Sequence, residues 1–210
     1  MASLPHVVLH HCPNTRSSGV LTLLEELGAD FELHVMNMKK GEHRQAAFLA
    51  INPMGKVPAI EHEGAVITEQ GAIYLYLGDL YAHQGLAPQM GHPLRGPYLR
   101  WLFFYGSAFE PALIDIAEKR SPAGVGMNPY GDFDTMFKTL DSQLAKGDYI
   151  LGEMFTTADV LWASALTWSS MFGLIQPTPT MKAYMQRVTS RPSFAKARAK
   201  DAQLAAAQAA

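Results

Sequence analysis

The sequence predicts an α/β unit followed by an all-helical unit. Up to residue 83, short apolar stretches with strand character alternate with stretches in which apolar residues recur at helical spacing. Residues 84–97 then contain three prolines and three glycines, which is typical of a linker. The patterns that follow are helical, and none alternates as a convincing strand does. We therefore place a first domain at residues 1–83, a linker at 84–93 and a second domain at 94–210.

The first domain begins with alternating strands and helices. Residues 6–10 form a plausible strand, and the apolar residues of 20–27 recur at helical spacing until Gly28 ends the helix. A second strand is predicted at residues 31–36, followed by a short helix around residues 48–51. This order favours parallel pairing of the first two strands through a right-handed crossover.

The first domain ends with a predicted hairpin and a third helix. Residues 57–60 and 65–68 are short apolar strands around a turn, and residues 70–77 have a helical pattern. The order of elements is therefore βαβαββα. Pro58 lies inside the predicted hairpin, although proline removes a hydrogen-bond donor and is normally kept out of sheet interiors.

The second domain is predicted to contain at least three long helices, at residues 101–109, 133–144 and 160–172. The last of these is strongly apolar and is expected to be buried on all sides. Thr156 and Asp159 at its start have the spacing of a capping box. The tail, residues 195–210, has strong helix formers but little to bury, and we expect it to fray.

Composition describes a globular protein and excludes several classes of partner. The 210 residues are 48% hydrophobic, and the formal net charge of -2 leaves no basic surface for nucleic acid. No apolar stretch approaches the length of a membrane span, and the first residues lack the features of a signal peptide. A single cysteine excludes an intramolecular disulfide and suits a reducing compartment. We predict a cytoplasmic protein with no nucleic-acid or membrane partner.

Histidines at positions 10, 11 and 62 are the candidates for a metal site. Adjacent residues on a strand face opposite ways, and no third ligand is spaced to join them. We therefore predict no metal.

Two segments carry a resemblance to a known family. They are GEHRQAAFLAINPMGKVPAI followed by TEQGAI, and FTTADVLWASAL in the second domain. On these segments the chain resembles a bacterial-type cytosolic glutathione transferase over nearly its full length. The resemblance implies a thioredoxin-like first domain with a cis Val57–Pro58 peptide bond, a helical-bundle second domain, glutathione as co-substrate and a homodimer with a role in detoxification.

The resemblance also implies the residues that bind glutathione. Val57, beside Pro58, would pair its backbone with the tripeptide as an added strand does. Glu69 and Gln70 stand at a helix start, which favours a carboxylate. The family has serine at the second of these positions, so Gln70 departs from its pattern. Three cationic candidates for the glycine carboxylate of glutathione are His43, Arg44 and Lys56.

Catalysis requires the thiolate of glutathione, and the thiol resembles a free cysteine with a pKa of about 8.5. Lowering this pKa by about two units needs about 2.7 kcal/mol. A helix end supplies about 0.3 to 1 kcal/mol, and a directed hydrogen bond to the charged sulfur adds about 1.5 to 3 kcal/mol. We expect the donor in residues 12–17, where the candidates are Asn14, Thr15 and Ser17. Ser17 is equally suited to cap the first helix.

Two alternatives remain open at this stage. Cys12, followed by proline before a helix, resembles the thiol-transferase branch of the family, in which the protein's own thiolate attacks a glutathione mixed disulfide. A lone cysteine is also a common inert core residue. The other alternative is a non-catalytic interaction or regulatory module, because Gln70 departs from the family pattern and the first strand ends in histidines where mammalian classes have a catalytic tyrosine.

The second substrate is expected to be a hydrophobic electrophile bound between the domains. Its site would be lined by aromatic and apolar residues of the helical domain, although such residues at helical spacing are also typical of core. The candidates are Trp101, Phe104, Tyr105, Phe109, Trp168 and Met171. Among them Tyr105 is preferred, because its hydroxyl can contact a reacting group while its ring packs. The sequence thus predicts a transferase that conjugates glutathione to such an electrophile.

Overall fold

The computed structural model describes residues 5–209 of the chain. These residues form two compact units. One contains the chain up to Gln84 together with the residues from Arg191 onwards, and the other extends from Gly85 to Ser190. Residues 1–4 and Ala210, which fall within the predicted domains, lie outside the described residues. The residues from Arg191 onwards, assigned to the helical domain by the sequence analysis, belong to the first unit.

The first unit contains a four-stranded mixed sheet with the strand order β2-β1-β3-β4. Strand β1 is His6–His11, β2 is Asp30–Val35, β3 is Ala59–His62 and β4 is Ala65–Ile67. β1 pairs with β2 in parallel, and β3 is antiparallel to both β1 and β4. The predicted pairing is therefore confirmed. Pro58 lies just before β3 and not within it, so the sheet loses no donor to the proline.

Three helices alternate with these strands along the chain. Helix α1, Ser17–Leu27, follows β1; α2, Ala46–Ile51, follows β2; and α3, Gln70–Leu80, follows β4. α1 ends at Gly28, which has a left-handed φ of 59° and donates its backbone N–H back to the last turn. Apolar residues of β1 and α1, such as Leu9 and Leu23, are fully buried. They form the core that supports the turn between β1 and α1, residues 12–16, called the β1–α1 turn below.

The second unit is helical. Helix α4 is Arg95–Phe104, α5 is Glu110–Ala117, α6 is Phe133–Leu144, α7 is Thr157–Met171 and α8 is Pro179–Thr189. A π-helical turn at Tyr105–Phe109 joins α4 to α5, so the predicted helix at 101–109 is a longer helix with a local change of pitch. None of the helices within residues 5–209 combines the length and apolar composition that crossing a membrane requires.

Helix α7 begins with the predicted capping box. The Asp159 carboxylate accepts hydrogen bonds from the Thr156 backbone N–H at 2.8 Å and from the Thr156 hydroxyl at 3.0 Å. The expectation that residues 160–172 are buried on all sides is wrong for the last turn. There Met171 is 79% exposed and Phe172 is 64% exposed.

The C-terminal helix α9, Pro192–Ala209, packs against α1 in the first unit. The Arg191 guanidinium pairs with Glu26 of α1, and the Gln208 side chain donates to the Met36 carbonyl at 3.1 Å. The prediction that residues 195–210 fray is therefore wrong for the described residues. The contacts that hold this helix come from residues far away in the chain, which local periodicity does not show.

Candidate functional site

The β1–α1 turn brings the predicted thiol-contacting residues together. Ser17 is the first residue of α1 and is fully buried. Its hydroxyl donates to the Cys12 carbonyl at 3.0 Å, accepts from the Cys12 backbone N–H at 3.1 Å and lies 2.9 Å from His11 Nδ1. These contacts use the hydroxyl to close the turn, so it has no donor left for a ligand.

Thr15 closes the same turn from its other side. Its hydroxyl donates to the Cys12 carbonyl at 2.7 Å and accepts from the Ser17 backbone N–H at 3.2 Å. The side chain is half-buried. Thr15 is thus a local cap of the turn, a common role for threonine beside a helix start.

Asn14 differs from its neighbours because its side chain is exposed. Its backbone has a left-handed φ of 58°, a conformation that asparagine tolerates better than most residues. Its backbone N–H donates to Asp201 Oδ2 at 2.9 Å. Among residues 5–209 its side-chain amide has no hydrogen-bond partner. Of the three hydroxyl and amide candidates, Asn14 therefore has the donor that is available to a ligand.

Cys12 is a core residue. It is fully buried in a cluster with Met36, Phe48 and Ala59. Burial raises the pKa of the Cys12 thiol to about 11, and the negative charge of Glu42 acts in the same direction. The thiol is therefore protonated at neutral pH, and the geometry does not favour a nucleophilic role.

The peptide bond between Val57 and Pro58 is cis. The half-buried Val57 side chain packs against the cluster around Cys12. Within the described part of the chain, the backbone N–H and C=O of Val57 make no hydrogen bond to other backbone groups. Such a backbone segment beside a strand can pair with an extended peptide.

Glu69 and Gln70 lie at the start of α3, close to the β1–α1 turn. Glu69 is exposed and has a φ of 64° and a ψ of 121°, a strained conformation for a residue with a side chain. The Gln70 side chain donates to the Arg16 carbonyl at 3.4 Å. This contact links the predicted carboxylate site to the predicted thiol site, although the two are far apart in the sequence.

His43, Arg44 and Lys56 surround the turn that precedes Val57. One guanidinium nitrogen of Arg44 donates to the Met54 carbonyl at 2.9 Å, and Lys56 is exposed. In the residues that the structure describes, His43 Nδ1 is buried without a hydrogen-bond partner. Gly55 has a φ of 59°, and a Cβ at this position would lie 2.7 Å from the Arg44 guanidinium. The approach of Arg44 to this turn thus depends on a glycine.

In the second unit, four of the predicted substrate-site residues surround the ring of Trp162, a residue absent from that prediction. The ring of Phe109 lies 5.1 Å from the Trp162 ring and that of Tyr105 lies 5.9 Å from it. The other two neighbours are Trp101 and Phe104. Trp101 and Phe109 are at most 1% exposed, so both are core residues.

Tyr105 is nearly buried, and its hydroxyl donates to Glu110 Oε1 at 2.5 Å. The π-helical turn allows this contact between residues five positions apart. Trp168 is half-buried and packs against Phe172 at 4.8 Å. Trp168 and the exposed Met171 lie near the end of α7, away from the rings around Trp162.

The structure also places His11 and Asp201 at the β1–α1 turn, and neither was predicted to lie at the thiol site. His11 Nε2 lies 2.9 Å from Asp201 Oδ1, and the Ser18 hydroxyl donates to Asp201 Oδ2 at 3.0 Å. Burial alone would raise the pKa of Asp201, but contacts from His11, Asn14 and Ser18 outweigh it and lower the pKa below its ordinary value. Asp201 is 187 residues from Asn14, so no local pattern indicated this contact.

His10 and His62, the other two candidates for a metal site, each lie within hydrogen-bond distance of a polar side chain. His10 Nε2 lies 2.6 Å from Glu61, and His62 Nδ1 lies 2.7 Å from the Tyr76 hydroxyl. In the described part of the chain, no group of three or more His, Cys, Asp or Glu residues is arranged to hold a metal ion.

Comparisons with known proteins agree with the fold. Residues 5–79 match the model of the glutathione S-transferase N-terminal domain, and residues 131–192 match the model of the C-terminal domain. The chain is 28% identical to glutathione S-transferase 3 of Zea mays over 192 residues, which are 84% of this chain and 86% of the maize protein.

Two solved structures are similar over almost the whole chain. A glutathione transferase from Methylococcus capsulatus has a TM-score of 0.80 and 28% identity, covering 94% of this chain and 99% of that one. A sphingomonad glutathione S-transferase, solved in complex with glutathione, has a TM-score of 0.77 and 30% identity, covering 93% and 98% of the two chains. The chain belongs to the glutathione transferase family.

Proposed function

We propose that the protein is a glutathione transferase in which the side-chain amide of Asn14 donates a hydrogen bond to the sulfur of bound glutathione. One observation carries this proposal: the Asn14 amide is exposed at the start of α1, whereas the hydroxyls of Thr15 and Ser17 are bonded within the turn. The start of α1 adds the positive end of a helix dipole to the same place.

The two contributions together are large enough for thiol activation. A charge-assisted hydrogen bond contributes about 1.5 to 3 kcal/mol, and a helix end adds about 0.3 to 1 kcal/mol. Their sum corresponds to a lowering of the thiol pKa by about one to three units. A lowering of about two units from an ordinary pKa of about 8.5 leaves the thiol largely ionised at neutral pH, and this lowering lies within that range.

The rest of the tripeptide would lie along the surface of the first unit. The Val57 backbone would pair with the cysteinyl residue, and the start of α3 at Glu69 and Gln70 would bind the γ-glutamyl end. The exposed, cationic Arg44 and Lys56 support a site for the glycine carboxylate, with His43 beside them in the chain. Sphingomonad and Phanerochaete chrysosporium relatives were solved with glutathione and oxidised glutathione, respectively.

The second substrate would be a hydrophobic electrophile. The glutathione sulfur would form a bond to an electrophilic carbon, the leaving group would depart with its electron pair, and the thiol proton would pass to solvent. We propose the partly exposed Phe104 and Trp168, together with Tyr105, which is 4% exposed, as walls of this site. Because the Tyr105 hydroxyl donates to Glu110, it would meet the substrate as an acceptor. We keep the homodimer, the cytoplasmic location and the role in detoxification as proposals from the family resemblance.

Titration calorimetry with glutathione, combined with kinetics on an activated aryl chloride, tests the proposal. We expect the wild-type protein to bind glutathione and Asn14→Ala to change the Kd by less than about threefold. The loss of one charge-assisted hydrogen bond should lower kcat by about tenfold or more at neutral pH. Glu69→Ala is the matched control, because it should weaken binding and leave the pKa of the bound thiol unchanged. An Asn14→Ala variant with wild-type kcat would contradict the proposal.

A further inference from the structure

The carboxylate of Asp201 holds the β1–α1 turn from the C-terminal helix. Oδ2 accepts hydrogen bonds from the Asn14 backbone N–H at 2.9 Å and from the Ser18 hydroxyl at 3.0 Å. Oδ1 lies 2.9 Å from His11 Nε2, at ion-pair distance. The Asp201 side chain is only 11% exposed, so solvent screens these contacts little. All three contacts end on the turn or on the residues that flank it.

His11 extends the influence of Asp201 to the other side of the turn. His11 is fully buried, and its Nδ1 lies 2.9 Å from the Ser17 hydroxyl. Ser17 in turn bonds both the backbone N–H and the carbonyl of Cys12. Asp201 therefore acts on the turn directly at Asn14 and indirectly through His11 and Ser17.

The same three side chains, Asp201, His11 and Ser17, are in the order of a hydrolytic triad, but their burial excludes that chemistry. Ser17 and His11 are both 0% exposed, and the Ser17 hydroxyl proton is donated to a backbone carbonyl. A nucleophile must reach its substrate, and this hydroxyl does not. The network is consequently suited to holding a backbone conformation.

We infer that Asp201 is a positioning residue of the thiol site, which holds Asn14 so that its side-chain amide points at the glutathione sulfur. This inference rests on the proposed function of Asn14. Asn14 has a positive φ, and such a conformation persists when its surroundings hold it in place. Among the residues described, the Asp201 carboxylate is the side chain that accepts the Asn14 N–H.

Electrostatics and positioning predict opposite effects of removing the Asp201 charge. The other charged or titratable groups at or beside the turn are His11 on β1, Arg16 before α1, Glu69 at the start of α3 and the Cys12 thiol, with Glu42 acting on Cys12. A negative charge near the sulfur disfavours a thiolate, so neutralising Asp201 by charge alone would lower the pKa of bound glutathione. Loss of positioning would raise this pKa, because the Asn14 donor would no longer be aimed at the sulfur.

The test is the ultraviolet absorption of the bound thiolate, measured against pH for the full-length wild-type protein and Asp201→Asn. We expect the variant to raise the thiol pKa by about one unit, which corresponds to about a tenfold loss of thiolate well below that pKa. The KM for glutathione should change by less than about threefold, because the carboxylate-binding residues are untouched. Gln208→Ala is the matched control, since it removes a contact of α9 with Met36 and leaves the turn intact.

An unchanged or lowered thiol pKa in Asp201→Asn would overturn the inference. If this variant does not fold, Ser18→Ala provides the second test, since it removes one contact of the carboxylate and should raise the thiol pKa by a smaller amount. A wild-type thiol pKa in Ser18→Ala would then overturn the inference. If the wild-type protein itself binds no glutathione, the proposed function and this inference both fail. If it binds and ionises glutathione and the variants match it, only the inference fails.

Discussion

Cys12 and Asn14 lie two positions apart in one turn, yet their side chains have opposite surroundings. Cys12 is fully buried with a raised pKa, whereas Asn14 is exposed with a side-chain donor that makes no hydrogen bond in the described residues. The turn directs one side chain into the core and the other outwards. Residue type alone favoured neither of them, since both a thiol and an amide are suited to glutathione chemistry.

Replacement of Cys12 should leave conjugation intact. Cys12→Ala removes a buried thiol that is protonated at neutral pH, so kcat should change by less than about twofold, while the free energy of unfolding should fall by about 1 kcal/mol. Steady-state kinetics and urea unfolding measure the two quantities. A thiol reagent should label Cys12 only in the unfolded protein. Rapid labelling of the native protein, or loss of activity in Cys12→Ala, would instead support the thiol-transferase alternative.

Gly55 is the residue on which the position of Arg44 depends. Gly55→Ala would place a Cβ 2.7 Å from the Arg44 guanidinium and 2.9 Å from the His43 carbonyl, in a backbone with a φ of 59°. We expect this change to displace Arg44 and His43 and to weaken glutathione binding by about tenfold, measured by calorimetry.

Gly64→Ala is the control that separates the displacement of Arg44 and His43 from the strain of an alanine at positive φ. Gly64 lies in the β3–β4 turn with a φ of 80°, and an added Cβ there meets no atom within 4 Å among the described residues. It should therefore cost about 1 kcal/mol of stability and leave the affinity for glutathione unchanged. Equal losses of affinity in the two variants would show that Arg44 and His43 have no part in binding.

At the scale of elements, one buried carboxylate, that of Asp159, holds the start of α7. Besides Thr156, the Asp159 carboxylate accepts from the Ile150 backbone N–H at 2.8 Å and from the Tyr184 hydroxyl at 3.0 Å. Burial raises the pKa of Asp159 to about 6, although the hydrogen bonds from the Ile150, Thr156 and Tyr184 donors all act to lower it. The carboxylate thus joins α7, the loop before it and α8 within the second unit.

Removal of this carboxylate should cost more than the loss of an ordinary helix cap. Asp159→Ala leaves several buried donors without a partner, so we expect the free energy of unfolding to fall by about 3 kcal/mol. The matched control is Asp132→Ala at the start of α6, where a half-buried carboxylate accepts a hydrogen bond from the Thr135 backbone N–H at 2.8 Å. This change should cost about 1 kcal/mol. Urea unfolding of the two variants measures the difference, and equal costs would show that burial of the Asp159 network adds nothing.

At the scale of the whole molecule, the residues from Arg191 onwards belong to the same compact unit as the chain up to Gln84. Helix α9 packs on α1, pairs Arg191 with Glu26 and places Asp201 at the β1–α1 turn. The stability of the first unit and the geometry of its candidate site consequently depend on residues separated by most of the chain.

The pH dependence of stability should show the contribution of the Asp201 carboxylate. The folded-state pKa of Asp201 lies below its ordinary value of 3.8, so its stabilising contribution is present above that value and is lost as the pH falls through the folded pKa. We expect wild-type protein to be more stable than Asp201→Asn at pH 6 and to lose this advantage on acidification below about pH 4. Urea unfolding at several pH values measures it, and a constant difference between the two proteins would contradict the assignment.

Local patterns determined much of the fold. The periodicity of α1, the Gly28 stop, the hairpin of β3 and β4 and the capping box of α7 each depend on residues within a few positions of one another. For this reason the sequence was sufficient to predict the order of elements, the strand pairing and the family resemblance, and it placed the candidate thiol donor within residues 12–17.

Only the tertiary structure decided which side chains are available and what holds them. It buried Cys12, used the hydroxyls of Thr15 and Ser17 within the turn, left Asn14 exposed and brought Asp201 to the same place. The physical reason is that burial and long-range hydrogen bonding depend on residues that meet after folding, and in this chain the decisive partner is 187 residues away. No pattern of neighbouring residues carries that information.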